Sequence, residues 1–307
     1  MKTPRIAVII PCYNEAVTIA GLVNELRMTL PEADIVVCDN RSSDNTAELA
    51  KAAGATVVYE PRPGKGNAVR RLFNSVDADV YLMLDGDATY DVSLAPFMIQ
   101  QLQARRLDML VGKRMSKEGK ETRAGHTFGR WLFSWASGFI FGQQFTDVLS
   151  GYRVFSRAFV KSFPVLSAGF EIETELTVHA LQQRMAVAEA ETPYYARPTG
   201  SESKLRTYRD GLRILLTIMK LVQSEKPLLF FWLIGGVFAV ASLAMGLPIV
   251  WHYWQTGLVP RLPLAMLSAS VMILAMMFFV MGILLNAVAM GRREAKMLAY
   301  LNNKKDA

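Results

Sequence analysis

Val80-Tyr81-Leu82-Met83-Leu84-Asp85-Gly86-Asp87 is the stretch on which the fold turns. Five largely apolar residues have the length of a buried strand, and the run then breaks abruptly into two carboxylates flanking a glycine. The same pattern occurs twice upstream. Ile6–Ile10 runs into Pro11-Cys12-Tyr13-Asn14-Glu15, and Ile35–Cys38, with Val37 inside it, runs into Asp39-Asn40. Helix-patterned segments separate these runs at Ala16–Thr29, at Asp44–Ala53 behind a Ser43 or Asp44 cap, and at Lys65–Ser75 behind a Pro-Gly turn; Thr56–Tyr59 reads as a further strand. Alternating β and α at this spacing predicts an α/β fold with a mostly parallel sheet covered by helices on both faces. Ligands bind such sheets beyond the carboxyl ends of the strands, which is where all three polar loops fall. The loops together predict a site for a nucleotide and a cation.

The C-terminal third has a different character. Hydrophobic residues make up 51% of the 307, more than a purely soluble chain usually carries, and the excess is concentrated. Leu228–Trp251 and Leu264–Met290 contain no Asp, Glu, Lys or Arg, and each exceeds the roughly 20 residues that cross a hydrocarbon core. They predict a transmembrane hairpin within residues 227–291. Arg209, Arg213, Lys220 and Lys226 precede it and Arg292, Arg293, Lys296, Lys304 and Lys305 follow it, against Arg261 alone in the connection; this asymmetry puts both termini and the catalytic domain on the cytoplasmic side. Residues 206–226 carry apolar positions at helical spacing among basic ones, as in an amphipathic helix on a bilayer surface, and 292–307 read as a basic cytoplasmic tail. Much of the net charge of +7 lies beside these helices, which suits anionic lipid headgroups and argues against nucleic acid. Gly235-Gly236 would permit close helix packing, including in a homo-oligomer. The apolar run near Lys2 is too short for a secretory segment, so no targeting segment is expected. Cys12 and Cys38 lie at strand ends of a cytosolic domain and read as small packing residues rather than a disulfide.

Asp85-x-Asp87 is the most informative short pattern. Two carboxylates one residue apart can hold a hard cation, Mg²⁺ or Mn²⁺, that also binds a substrate diphosphate. The cation would neutralise charge developing on the departing nucleoside diphosphate, so no proton donor is needed there.

Pro11-x-Tyr13-Asn14-Glu15, Asp39-x-x-Ser42-x-Asp44-x-Thr46, Lys65-Gly66-x-Ala68 and Asp85-x-Asp87 together resemble family 2 glycosyltransferases of the GT-A fold, with residues 1–205 as the catalytic domain. The resemblance implies that Pro11, Tyr13, Asn14, Glu15, Val37, Asp39, Asp44, Lys65, Asp85 and Gly86 bind the nucleotide-sugar donor, and that Asp85 and Asp87 bracket the metal. Gly112-Lys113-Arg114, Asp147-x-x-Ser150-Gly151-Tyr152-Arg153 and Ser203-Lys204-Leu205 are similar to the dolichol-phosphate mannose synthase and bactoprenol-phosphate glucosyltransferase branch. That similarity implies a polyprenyl phosphate acceptor, with undecaprenyl expected, and inversion at the anomeric carbon. Arg114, Arg130, Ser150, Arg153, Arg197 and Lys204 would build the acceptor or phosphate site, Arg114 and Arg153 joining Asp85 and Asp87 in catalysis; Arg197 stands one residue further from Lys204 than the branch pattern.

A phosphomonoester is already ionised near neutral pH, so arginines suit this acceptor better than a catalytic base does. Glu171, Glu173 and Glu175 follow Gly169-Phe170 and are the candidate bases should the acceptor be a hydroxyl, the alternative reading; otherwise they are a charged helix start. His126 reads as a loop histidine, and the aromatic stretch Trp131–Phe141 as core or lipid-facing surface. A processive polysaccharide synthase would carry Gln-x-x-Arg-Trp after the acceptor region, and Thr127 stands where Gln belongs. A nucleotidyltransferase would carry a glycine-rich loop after the first strand. A non-catalytic nucleotide-sugar-binding scaffold would be expected to lack a metal carboxylate or the acceptor arginines, whereas Asp85, Asp87, Arg114 and Arg153 are all present.

Overall fold

The computed structural model describes residues 4–116, 146–165, 167, 169, 171–195, 219, 223–224, 226–259 and 261–304. The chain divides into two units, one of Met1–Gly211 with Ala295–Ala307 and one of Leu212–Glu294.

In the first unit, β1 (Ile6–Cys12), α1 (Ile19–Thr29), β2 (Asp34–Asp39), α2 (Thr46–Ala52), β3 (Thr56–Tyr59), α3 (Lys65–Ser75) and β4 (Val80–Met83) alternate as the hydropathy pattern predicts. They are followed by α4 (Ala95–Ala104), β5 (Met109–Ser116), β6 (Arg153–Ser156), α5 (Arg157–Ser162), α6 (Ile172–Gln182) and β7 (Val187–Tyr194). The seven strands form one sheet in the order β3-β2-β1-β4-β6-β5-β7. β1 to β4 pair in parallel, β5 pairs with β7 in parallel, and β6 runs antiparallel to both β4 and β5. The central strands are buried on both faces: Val8, Ile9, Ile10, Leu82 and Met83 are fully inaccessible, each contributing about 1.5–3 kcal/mol of apolar burial.

Three boundaries differ from the sequence reading for local reasons. β1 continues through Pro11 to Cys12 because its pairing with β2 extends to Asp39 while β4 pairs only as far as Ile9. α1 begins at Ile19, after a turn in which the Thr18 and Ile19 N–H groups donate to the Glu15 carbonyl. α2 begins at Thr46 because the Asp44 carboxylate accepts from the Ala16 and Thr46 N–H groups and belongs to the loop. Cys12 and Cys38 are free, buried thiols, as expected of packing residues.

The second unit contains α7 (Pro227–Thr256) and most of α8 (Leu262–Lys304), both long and apolar enough to cross a membrane. They pack through small residues and aromatics. A Cβ on Gly235 would lie 2.9 Å from the Phe279 ring, Trp232 meets Phe279 edge-on at 5.6 Å, and Ser242 Oγ donates to the Ser268 carbonyl at 2.7 Å. Gly235 thus serves the hairpin itself. Nothing lies within 4 Å of the Cβ position of Gly236. α8 remains helical through Lys304, so the basic segment expected as a tail is a continuation of the helix. Within the first unit its last turns are fastened where β5 begins: Tyr300 Oη donates to Asp108 at 2.9 Å, and Lys304 lies 3.8 Å from the same carboxylate. The amphipathic segment expected at 206–226 lies almost wholly outside the described residues.

α6 packs His179 edge-on against Phe159 and Phe163 at ring distances of 5.4 and 5.1 Å. Its Nδ1 has no hydrogen-bond partner among the described residues. Burial, reinforced by the Lys296 charge, pushes its pKa down to about 3. An unfolded histidine titrates near 6.5, so between those values the unfolded chain binds a proton that the folded chain refuses, and stability rises with pH. The contribution is complete above about pH 6.5 and is lost as the pH falls toward 3. The denaturation midpoint of the native chain should therefore drop more steeply between pH 6.5 and 4 than that of His179→Phe; parallel profiles would refute the account.

Candidate active site

β2 lies on one side of β1 and β4 on the other, so the crevice beyond their carboxyl ends is the point where the strand order reverses. Three loops emptying into it are tied to one another. Asn14, in the left-handed region at φ 53°, donates its N–H to Ser42 Oγ at 3.0 Å and accepts from the Ser43 N–H at 2.7 Å. The Glu15 N–H donates to Thr46 Oγ1 at 2.9 Å, and the Ser42 N–H to Asp39 at 3.3 Å. The Asn40 side chain donates to the Glu60 and Arg62 carbonyls and accepts from the Gly64 N–H at 2.7 Å, drawing the start of α3 toward the same edge. Asn14 and Asp44, expected to touch the donor, are thus engaged in locking the loops. Burial would raise the Asp44 pKa, but hydrogen bonds from the Thr46 hydroxyl and the Ala16 and Thr46 N–H groups hold it below the usual carboxylate range. Pro11 is buried in β1, Tyr13 is 46% exposed, and Asp39 stands buried at the end of β2. Val37 is fully buried in the core of β2 and presents no open surface.

The loop after β4 is clamped by its glycine. A Cβ on Gly86 would come within 2.6 Å of Cys12 Sγ, and the Gly86 carbonyl accepts from Thr18 Oγ1 at 2.6 Å. Asp87, 4% exposed, accepts through Oδ1 from the Thr89 hydroxyl at 2.7 Å. Asp85 is paired through Oδ1, and the space beside Oδ2 admits only a glycine at position 151. Lys65 Nζ lies 2.5 Å from Oδ1, and a Cβ on Gly151 would stand 2.5 Å from Oδ2. Lys65 also donates to Glu173 in the first turn of α6. Burial alone would lower the Lys65 pKa, but Asp85 and Glu173 raise it and keep the ammonium charged. Among the described residues no group of three His, Cys, Asp or Glu gathers as a metal site. Two oxygen donors on one loop suit a hard cation that takes its remaining ligands from a substrate diphosphate.

The other wall comes from β5, β6 and β7. Arg114 forms a two-pronged pair with Asp147 through Nε and Nη2, both at 2.7 Å, and lies 5.4 Å above the Tyr194 ring. The Asp147 N–H in turn donates to Glu189 at 3.0 Å. Tyr90 packs against Tyr152 and Tyr194 and accepts the Gly151 N–H at 2.9 Å, so the 147–151 loop is seated directly over Asp85. Ser150 and Arg153 differ from expectation, because both are completely buried. Ser150 Oγ donates to the Gly112 carbonyl at 2.6 Å; the Arg153 guanidinium donates to the carbonyls of Ser150 at 2.8 Å and Val148 at 2.6 Å and to Thr177 Oγ1 at 2.9 Å. They brace the loop from beneath and offer no surface to an acceptor. Burial pulls the Arg153 pKa down to about 10.

Residues 7–163, more than half the chain, match the model of Glycosyl transferase family 2. The chain belongs to that family. This glycosyltransferase is 34% identical over 299 residues to Glycosyltransferase AglJ of Haloferax volcanii, covering 96% of the chain and 97% of the relative. It is 26% identical over 222 residues to the dolichyl-phosphate hexose transferase of the same organism, covering 72% and 95% respectively. Its fold resembles glucosyl-3-phosphoglycerate synthase from Mycobacterium tuberculosis, whose crystal structure holds Mn²⁺, UDP-glucose and phosphoglyceric acid; the TM-score is 0.57 at 24% identity, over 70% of this chain and 79% of that one. The sheet with its switch-point site is a GT-A fold, and the family's donors are nucleotide-sugars.

Arg130, His126, Trp131–Phe141, Arg197 and Lys204 lie outside the described residues. Sequence reasoning missed the Tyr90-Tyr152-Tyr194 wall and the joining of Lys65, Asp85 and Glu173. The available signals were the tyrosine three residues after Asp87 and the acidic first turn of α6.

Proposed function

We propose that this glycosyltransferase moves a sugar, with inversion, from a nucleotide-sugar to a polyprenyl phosphate, undecaprenyl phosphate in particular, at the cytoplasmic face of a membrane that α7 and α8 span. Asp85 and Asp87 would hold a divalent cation that neutralises the leaving diphosphate. The loops after β1 and β2 cradle the nucleoside, with Tyr13 the exposed ring and Asp39 the carboxylate at the strand end. Arg114, a quarter exposed and oriented by its pair with Asp147, keeps a permanent positive charge on the wall of the crevice, where it would attract the acceptor phosphate.

The observation that supports the acceptor assignment is that two of the three carboxylates a hydroxyl acceptor could use as base are engaged, while Glu171 stands exposed at the start of α6. Glu173 is paired with Lys65, and Glu175 accepts the Ser167 N–H at 2.8 Å. A phosphate nucleophile needs no such base. The name of the dolichyl-phosphate hexose transferase supports the same reading.

The test is transfer of radiolabel from a panel of nucleotide-sugars to undecaprenyl phosphate by the detergent-purified chain, with and without Mg²⁺ or Mn²⁺. Metal-dependent label in the lipid fraction from one donor is the expected result. Donor hydrolysis or a soluble product without lipid labelling would overturn the acceptor.

A further inference from the structure

The Asp85 side chain is a quarter exposed, and its two oxygens have unlike neighbours. Oδ2 faces the Gly151 backbone, seated by its N–H bond to Tyr90, whereas Oδ1 faces the ammonium of a long, flexible lysine. A divalent cation and an ammonium cannot both occupy Oδ1, since they would repel at contact distance. A cation can take Oδ1 of Asp85 only if Lys65 moves. Glu173 stands ready to receive it: this carboxylate already accepts from Lys65 Nζ, is 4% exposed, and comes from a different element, α6. Releasing Lys65 into an apolar interior with no partner would cost several kcal/mol, so a second carboxylate in reach is what makes the exchange feasible.

We propose that Lys65 is a built-in counter-ion for Asp85 that passes to Glu173 when a donor diphosphate delivers its cation, and that Glu173 thereby sets the metal affinity of the site. This rests on the cation-binding role proposed for Asp85 above. Glu173 acts here as a positioning residue and not as a base.

The test is Mn²⁺ binding, followed by the electron paramagnetic resonance signal of the free ion, to the full-length detergent-purified chain with uridine or guanosine diphosphate present and no sugar transfer involved. Lys65→Met removes the competitor and should tighten Mn²⁺ binding by about tenfold, the scale of a partly buried ion pair. Glu173→Gln removes the alternative partner, holds Lys65 on Asp85, and should weaken binding by a similar factor. In the Lys65→Met/Glu173→Gln double variant the effect of Glu173 should vanish, because there is no lysine left to place. Unchanged or weaker binding in Lys65→Met overturns the proposal. So does a Glu173→Gln loss that persists in the Lys65→Met background, which is what a purely structural role would give. If Glu173→Gln does not fold, as circular dichroism would show, the Lys65→Met comparison decides. Absence of diphosphate-dependent Mn²⁺ binding in the native chain would instead remove the cation from Asp85 and overturn the proposed metal role together with this one.

Discussion

Replacing Asp87 with asparagine is expected to lower sugar transfer by about 100- to 1000-fold, the range seen when one fixed electrostatic partner of a developing charge is removed. Asparagine keeps the shape of the side chain and can still accept from the Thr89 hydroxyl, the 2.7 Å bond that holds Asp87 in its loop. What it loses is the negative charge. The loss should fall mainly on kcat, because the charge on the leaving diphosphate is largest in the transition state. Circular dichroism and thermal melting should be close to those of the native chain. Transfer within threefold of native would show that the second carboxylate of the pair holds no cation.

The second large effect concerns stability. Arg153→Met should destabilise the catalytic unit by about 3–5 kcal/mol, the cost of leaving several buried acceptors without donors at roughly 1–3 kcal/mol each. Three acceptors lose their donors at once: the carbonyls of Val148 and Ser150 and the hydroxyl of Thr177. Arg153→Lys should recover little, since one ammonium cannot span partners that a planar fork reaches in three directions. Urea denaturation followed by circular dichroism measures both variants. A loss under about 1 kcal/mol would mean that the guanidinium does not brace the 147–151 loop.

The first half of the sheet was legible because its strands are parallel and buried on both faces, so each appears as an unbroken apolar run ending in polar residues. β1, β2 and β4 could be found from hydropathy alone, and with them the crevice at the switch point. β7 gives no such run. As an edge strand, Val-Ala-Glu-Ala-Glu-Thr-Pro-Tyr is nowhere fully apolar, and its Glu189 reaches across to the 146–147 backbone. Nor does spacing announce that β6 runs antiparallel between β4 and β5.

Within the site, residue type indicated polarity but not direction. Asn14 and Asp44 sit in a ligand-facing loop and spend their hydrogen bonds on it. Arg153 belongs to the same short segment as Asp147, yet it points inward while Asp147 meets Arg114. Asp147 lies in the loop before β6 and Arg153 at the first residue of that strand, and only the folded sheet decides which arginine reaches the crevice. Glu173 was visible as a candidate base; its pairing with a lysine more than a hundred residues earlier was not.

The fastening of Tyr300 to Asp108 also bears on how the protein is made. Met1–Gly211 and Ala295–Ala307 belong to one unit, while the apolar segments between them form another. During synthesis, a ribosome releases Asp108 long before Tyr300, and both hydrophobic helices must emerge in the interval. The catalytic unit therefore cannot acquire its last contacts until the translation of the apolar helices is finished. Completion of the first unit is in this way ordered after production of the two apolar helices, and a chain halted before Ala295 would carry the crevice at the switch point without the helical turns fastened to Asp108.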